Sequence, residues 1–164
     1  MLAAGVGVPT SPSVRVGELC NRDVVFATAD EAVADAARRL ISRHVGALVV
    51  VDDVDDVHHP VGVVTDRDLV AATLVGDVGH VRSLCVGDLM TKELVTATQD
   101  EDVFDAMQRM RARGVRRLPV VDANRALVGI LTLDDLIEWL GEQLSELTRL
   151  VANELRRERE RERD

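Results

Sequence analysis

Val61–Leu69 reads VGVVTDRDL and Val128–Leu136 reads VGILTLDDL. Val61, Gly62, Thr65, Asp68 and Leu69 recur as Val128, Gly129, Thr132, Asp135 and Leu136. Each phrase is an apolar strand end, a threonine, and an aspartate three residues later. That spacing starts a helix: the hydroxyl accepts from the N3 amide while the N3 carboxylate reaches back. The same helix start offers free amides and a positive dipole end to a phosphate, and an aspartate one turn in can accept from a ribose diol. Both readings stand, and one Thr-x-x-Asp can serve both.

The repetition extends well beyond the phrase. Shifted by 70, Val16–Asp52 falls on Val86–Asp122 with 18 of 37 positions identical. The offset then becomes 67, because the first copy carries three extra residues around DDVDDVHHP. This is a duplication. Each copy starts with a short apolar strand, Val24–Ala27 or Leu94–Ala97, followed by a helix. In the first helix Val33, Ala36, Ala37, Leu40 and Ile41 form one apolar stripe. Thr28-x-x-Glu31 and Thr98-x-x-Glu101 have the pattern of capping boxes at the two helix starts. Two dense apolar runs come next, as expected of strands covered on both faces, then the phrase and a second helix. The unit is βαββα written twice, an α/β (α+β) fold. A copy of about 60 residues is small for a core of its own. Packing the two sheets together yields a pseudo-two-fold pair with two similar clefts. The expected boundaries are a flexible leader at 1–13, repeats at 14–75 and 86–141, a connector at 76–85, and a helical extension at 142–164.

Composition narrows the function. The 164-residue chain carries 29 acidic and 20 basic residues, a formal charge of −9, with 2% aromatics and no Tyr. Nucleic-acid binders use basic footprints and aromatic platforms, so this balance argues against such a partner. No apolar run approaches the roughly 20 residues that span a bilayer. Two cysteines, Cys20 and Cys85, make no disulfide framework and fit a reducing cytoplasm. They do not align with each other and read as small apolar fillers. No Ser or Cys nucleophile stands in a recognisable setting with a His base, and no H-E-x-x-H or Walker pattern occurs, so no catalytic residue and no enzymatic activity is expected. His58 and His59 beside Asp52, Asp53, Asp55 and Asp56 have no regular ligand spacing, so the expectation is an acidic hairpin without a metal.

Two βαββα copies, each ending in Gly-x-x-Thr-x-x-Asp, with GVRRLPVVD (Gly114–Asp122) before the second phrase, resemble a stand-alone tandem pair of CBS domains. The resemblance covers Val16 to about Leu140. It implies a flat two-repeat disc, the Bateman module, which commonly binds AMP, ADP, ATP or S-adenosylmethionine between its repeats as a regulatory ligand rather than a cofactor. Carried over residue by residue, it implies ribose-binding roles for Asp68 and Asp135 and hydroxyl contacts from Thr65 and Thr132. Val63 and Ile130 would touch the base, and Thr28, Val45, Thr98 and Val115 would line the adenine pocket. Arg116 and Arg117 stand where the family often places phosphate-contacting residues; the first copy has Gly46 and Ala47 there. An ordinary solvated turn is the other reading of that pair, and the cleft it would face is open. Members of the family regulate enzymes or channels, which implies an unidentified client protein and a homodimer. The alternative is a dimerisation or scaffold module with vestigial clefts.

The last stretch stands apart. Leu136, Leu140, Leu144, Leu147, Val151 and Leu155 recur at spacings of four and three, so one helix is expected to run past the second repeat, with Gly141 a candidate bend. Its apolar stripe can pack on its own module, on a sister subunit or on a client. The terminal Arg/Glu alternation reads as a solvated helix end.

Overall fold

The computed structural model describes residues 14–75 and 83–161. The expected leader at 1–13 lies outside the described residues, as do 76–82 of the connector and the last three residues. The first repeat contains α1 (Val16–Leu19), β1 (Phe26–Thr28), α2 (Val33–Arg43), β2 (Ala47–Val54), β3 (Val57–Thr65) and α3 (Asp66–Val75). The second contains α4 (Val86–Leu89), β4 (Ala97–Thr98), α5 (Val103–Arg113), β5 (Arg117–Val121), β6 (Leu127–Thr132) and α6 (Leu133–Arg161). Each repeat forms a three-stranded sheet in which the first two strands are parallel and the last two antiparallel. The doubly apolar runs are explained by their burial. Ala47–Val51 in β2 and Leu118–Val121 in β5 are covered on both faces.

Both sheets carry a bulge at the same place. Val50 faces Gly62 and Val51 faces Pro60, so Val61 is the extra residue; Val128 is the extra residue in the second sheet. A bulge re-aims the chain beyond it, and in both copies that chain is the phrase. The three inserted residues of the first copy lengthen β2 and β3 instead of forming a loose loop. Asp52 pairs with His59 and Asp53 with His58, and the turn residues Asp55 and Asp56 take φ of 52° and 62°. Positive φ at both central residues is what a two-residue hairpin turn requires.

Two sequence expectations need correction. Thr28 and Thr98 do not cap the helices. The N-cap of α2 is Ala32, and that of α5 is Asp102, whose carboxylate accepts from the Phe104 amide at 2.8 Å. Glu31 and Glu101 turn inward to ion-pair with Arg39 at 2.9 Å and Arg109 at 2.7 Å. Each arginine also donates to a backbone carbonyl, of Phe26 in β1 and of Thr96 just before β4 respectively. Glu101 also accepts from the Thr98 amide at 3.2 Å, so the reach-back bond of the box is present in the second copy, but neither threonine hydroxyl caps a helix. In α2 the stripe narrows, because Ile41 is 74% exposed while Val33, Ala36 and Leu40 are buried.

The head of each repeat packs on the other repeat. Val16 and Cys20 belong to the second core, with Ala97, Leu118, Leu131 and Leu136. Val86 belongs to the first, with Ala27, Leu48 and Val64, and Leu89 and Met90 pack against it. Matching hydrogen bonds hold the exchange. Val16 N–H donates to Glu101 O and Val86 N–H to Glu31 O, both at 2.9 Å. Asn21 exchanges two backbone bonds with Ile130, and Thr91 exchanges two with Val63. Gly62 and Gly129 permit this approach. A methyl at Gly62 would lie 2.7 Å from Met90 Sδ, and one at Gly129 would lie 2.6 Å from Cys20 Sγ. The phrase glycines are therefore the points where each repeat receives the other's head.

Candidate functional site: two clefts between the repeats

The first turn of each second helix is built the same way. Asp68 Oδ2 accepts from the Thr65 amide at 2.8 Å and its hydroxyl at 2.7 Å, and the Asp68 amide donates back to Thr65 Oγ1 at 3.3 Å. Asp135 and Thr132 repeat the pattern at 2.7, 2.7 and 3.2 Å. The capping arrangement is thus present in both copies. It engages one carboxylate oxygen of each aspartate and leaves Oδ1 without a protein hydrogen bond among the described residues. Both carboxylates are half-buried. Each helix start is also tied to the turn before the middle strand, since Asp66 N–H donates to Gly46 O and Leu133 N–H to Arg116 O.

The head exchange pairs each phrase with wall residues of the opposite repeat. Cleft A, about 480 Å³, combines Val63, Thr65, Asp66, Arg67 and Asp68 with Thr91, Glu93, Leu94, Val95, Val115, Arg116, Arg117 and Pro119. Cleft B, about 250 Å³, combines Ile130, Thr132, Asp134 and Asp135 with Asn21, Asp23, Val24, Val25, Val45, Gly46 and Ala47. Arg117 lines both. Its Nη2 lies 3.3 Å from where a Gly46 methyl would stand, on the boundary between them.

Thr28 and Thr98 line neither cavity; the Thr28 hydroxyl donates to Asp30 instead. Their places on the cleft walls are taken by Val25 and Val95, three residues earlier. The segments ahead of β1 and β4 carry further lining residues that the motifs do not single out: Asn21, Asp23 and Val24 in one copy, Thr91, Glu93 and Leu94 in the other. A signal exists, because Asp23 aligns with Glu93 and Val25 with Val95 at the 70-residue offset. Arg116 and Arg117 face cleft A, where Arg67 joins them. Among the described residues none of these three arginines makes an ion pair.

No group of three His, Cys, Asp or Glu side chains is gathered for a metal among the described residues. His58 contacts Asp53 and packs its ring against Phe26, with centroids 4.2 Å apart. Both cysteines are free. Burial pushes the Cys20 thiol above its ordinary value, opposed by nearby Arg22 and reinforced by Asp135.

The CBS domain profile matches residues 16–74 and 86–142. The chain belongs to the CBS-domain family. It is 33% identical to protein MK0525 of Methanopyrus kandleri over 126 residues, 77% of this chain and 62% of that relative. The CBS pair of protein MJ0100, solved with 5′-methylthioadenosine and S-adenosyl-L-methionine, superposes with a TM-score of 0.69 at 26% identity, covering 80% of this chain and 99% of that one. The Arabidopsis thaliana CBS-pair protein CBSX2, solved with AMP, gives a TM-score of 0.65 at 30% identity, covering 80% and 98%. Both of these CBS-pair neighbours were solved with adenosine ligands. Among the described residues no helix is long and apolar enough to cross a membrane.

Proposed function

We propose that this CBS pair is a regulatory module that binds an adenine nucleotide in cleft A and passes its occupancy to a protein partner. The observation that carries the reading is the convergence of Arg67, Arg116 and Arg117 with the half-buried Asp68 carboxylate in one cavity. Planar guanidinium groups suit phosphate oxygens, and these three have no ion pair to give up among the described residues. Asp68 keeps Oδ1 for ribose hydroxyls while Oδ2 holds the helix start. Val63, Val95, Val115 and Pro119 supply an apolar wall for a base. The AMP complex of CBSX2 accords with this choice.

Transmission depends on where the ligand sits. A nucleotide in cleft A touches the phrase of one repeat and the wall of the other, so it favours the arrangement in which the two are best aligned. Any partner that distinguishes arrangements then feels the ligand through differential affinity, reciprocally. The module binds rather than catalyses. Two free thiols accord with a reducing cytoplasm.

The far end of α6 supports a homodimer. Leu136 and Trp139 join the second core, but Ile137, Leu140, Leu144, Leu147, Leu150 and Val151 are exposed. Asp134, Asp135, Glu138, Glu142 and Glu146 precede the first basic residue, Arg149, and Arg156, Arg157, Arg159 and Arg161 lie beyond it. Antiparallel pairing of two α6 helices covers the apolar face and sets the acidic first half of one beside the last half of the other, where arginines outnumber the interspersed Glu154, Glu158 and Glu160.

Titration calorimetry with AMP tests the ligand assignment. Micromolar affinity corresponds to about −8 kcal/mol, and a hydrogen bond to a charged group contributes about 1.5–3 kcal/mol. Asp68→Ala should therefore weaken AMP by about ten- to hundredfold, and a folded variant with unchanged affinity contradicts it.

A further inference from the structure

Helix α6 carries charge that nothing in its own chain answers. Asp134, Glu138, Glu142 and Glu146 follow one another at i,i+4, a ladder of like charges that destabilises a helix left to itself. Among the described residues only Glu146 of these has an ion pair, with Arg149, and Arg156, Arg157, Arg159 and Arg161 have none. Asp134 also stands on the rim of cleft B, where Asp23, Asp134 and Asp135 meet the single Arg117 that cleft A shares. Asp23 is held by Arg43 at 3.0 and 2.8 Å and Asp135 holds the helix start, so Asp134 is the acid left without a partner there. The chain's own arginines cannot come to it. α6 runs unbroken from Leu133 to Arg161, through Gly141, so Arg156 stands 22 residues of helix, about 33 Å, beyond Asp134.

A second copy can bring them. Ile137, Leu140, Leu144, Leu147 and Val151 are exposed and recur at alternating spacings of three and four, the apolar positions of a two-stranded seam. In an antiparallel seam Leu144 lies against Leu147 of the partner subunit, and Leu140 against the partner's Val151. Asp134 is ten residues before Leu144 and Arg157 is ten beyond Leu147, so the rim of cleft B and the partner's arginines lie at one level. At about 100° per residue, Asp134 and Glu138 flank the same edge of the stripe as Arg156 and Arg159, and antiparallel helices bring like edges together. A parallel seam would set acids on acids and arginines on arginines. We propose that two copies pair through α6 in this antiparallel register, and that Arg156 and Arg159 of the partner subunit seat on Asp134 and Glu138. This rests on the α6 homodimer and adds to it an orientation, a register and a composite site. Each cleft B is completed at its rim by the other chain, whereas cleft A carries its own arginines and needs no partner.

Sedimentation equilibrium of the full chain is the test, with the dimer dissociation constant as its readout. Wild type should dimerise, and more tightly at low salt than at high. Arg156→Glu with Arg159→Glu should weaken the dimer by about tenfold or more, and so should Asp134→Arg with Glu138→Arg. All four changes together restore opposite charges and should return the constant to within about threefold of wild type. Leu147→Glu, in the middle of the seam, should leave a monomer. If Leu147→Glu breaks the dimer while either charge reversal leaves it unchanged, or the combined variant shows no rescue, the composite rim is overturned and the α6 homodimer stands. A monomeric wild type, or a dimer indifferent to Leu147→Glu, overturns both.

Discussion

Clefts A and B are made by the same phrase, the same bulge and the same exchanged head, yet they differ at the three positions that decide charge. Thr65–Asp68 and Thr132–Asp135 agree in hydrogen bonding to within 0.1 Å. Gly62 and Gly129 both stand against a sulfur, and Val16 and Val86 are both fully buried in the opposite core. By contrast Arg116, Arg117 and Arg67 correspond to Gly46, Ala47 and Asp134, all on the cleft rims. Duplication has kept what holds the chain together and released the charge on the cleft rims. Energetics explains the pattern. A change in the glycine seat strains packed backbone, whereas a rim arginine changes stability by only a few tenths of a kcal/mol.

If the scaffolds are equivalent, damage to either should cost the same. Gly62→Val and Gly129→Val should each destabilise by about 2–3 kcal/mol, because the new side chain meets Met90 or Cys20 and the adjacent carbonyl. Urea unfolding measures this, and a large loss in one copy only breaks the equivalence. Val16→Ala and Val86→Ala should each cost about 1–3 kcal/mol, since both side chains are wholly buried. Because each head completes the other core, both variants should still unfold in one transition. Two separated transitions would show the repeats to be independent.

Smaller effects separate scaffold from site. Asp68→Ala and Asp135→Ala should each lose about 1 kcal/mol through the helix start, and equal losses show the capping roles to be alike whatever the ligands are. Arg116→Ala should leave the urea midpoint nearly unchanged and weaken AMP by about tenfold. A large stability loss would make the arginine structural. The smallest effect concerns Cys20. Its thiol sits above the ordinary value of 9.0 because it is buried, so the folded state holds the proton more tightly than the unfolded state. The stability this adds is present below pH 9.0 and declines as pH rises past it. Unfolding midpoints measured above and below that pH should show the decline in wild type and less of it in Cys20→Ala.

Much of the fold is legible in the sequence because the information is local or repeated. The doubly apolar runs mark covered strands, the 70-residue offset marks the duplication, and the phrase marks two helix starts. The exchange of heads is not legible, because α1 looks the same whether it packs on its own repeat or on the other. That one topological fact decides which wall faces which phrase, and so which cleft the arginines serve. Thr28 and Thr98 mislead for a related reason. Their capping pattern is genuine as spacing, but Arg39 and Arg109 offer Glu31 and Glu101 an ion pair and draw them inward. The stripe on α6 shows the same limit, since periodicity groups buried Leu136 with Leu140, which is 41% exposed, and only the place where the second core ends divides them.

Co-crystallisation with AMP tests the central claim most directly. The account predicts AMP in cleft A, with ribose hydroxyls on Asp68, the base between Val63 and the Val95–Val115 wall, and phosphate on Arg116 and Arg117. AMP seated in cleft B with cleft A vacant, or bound with its phosphate turned away from those arginines, would contradict it.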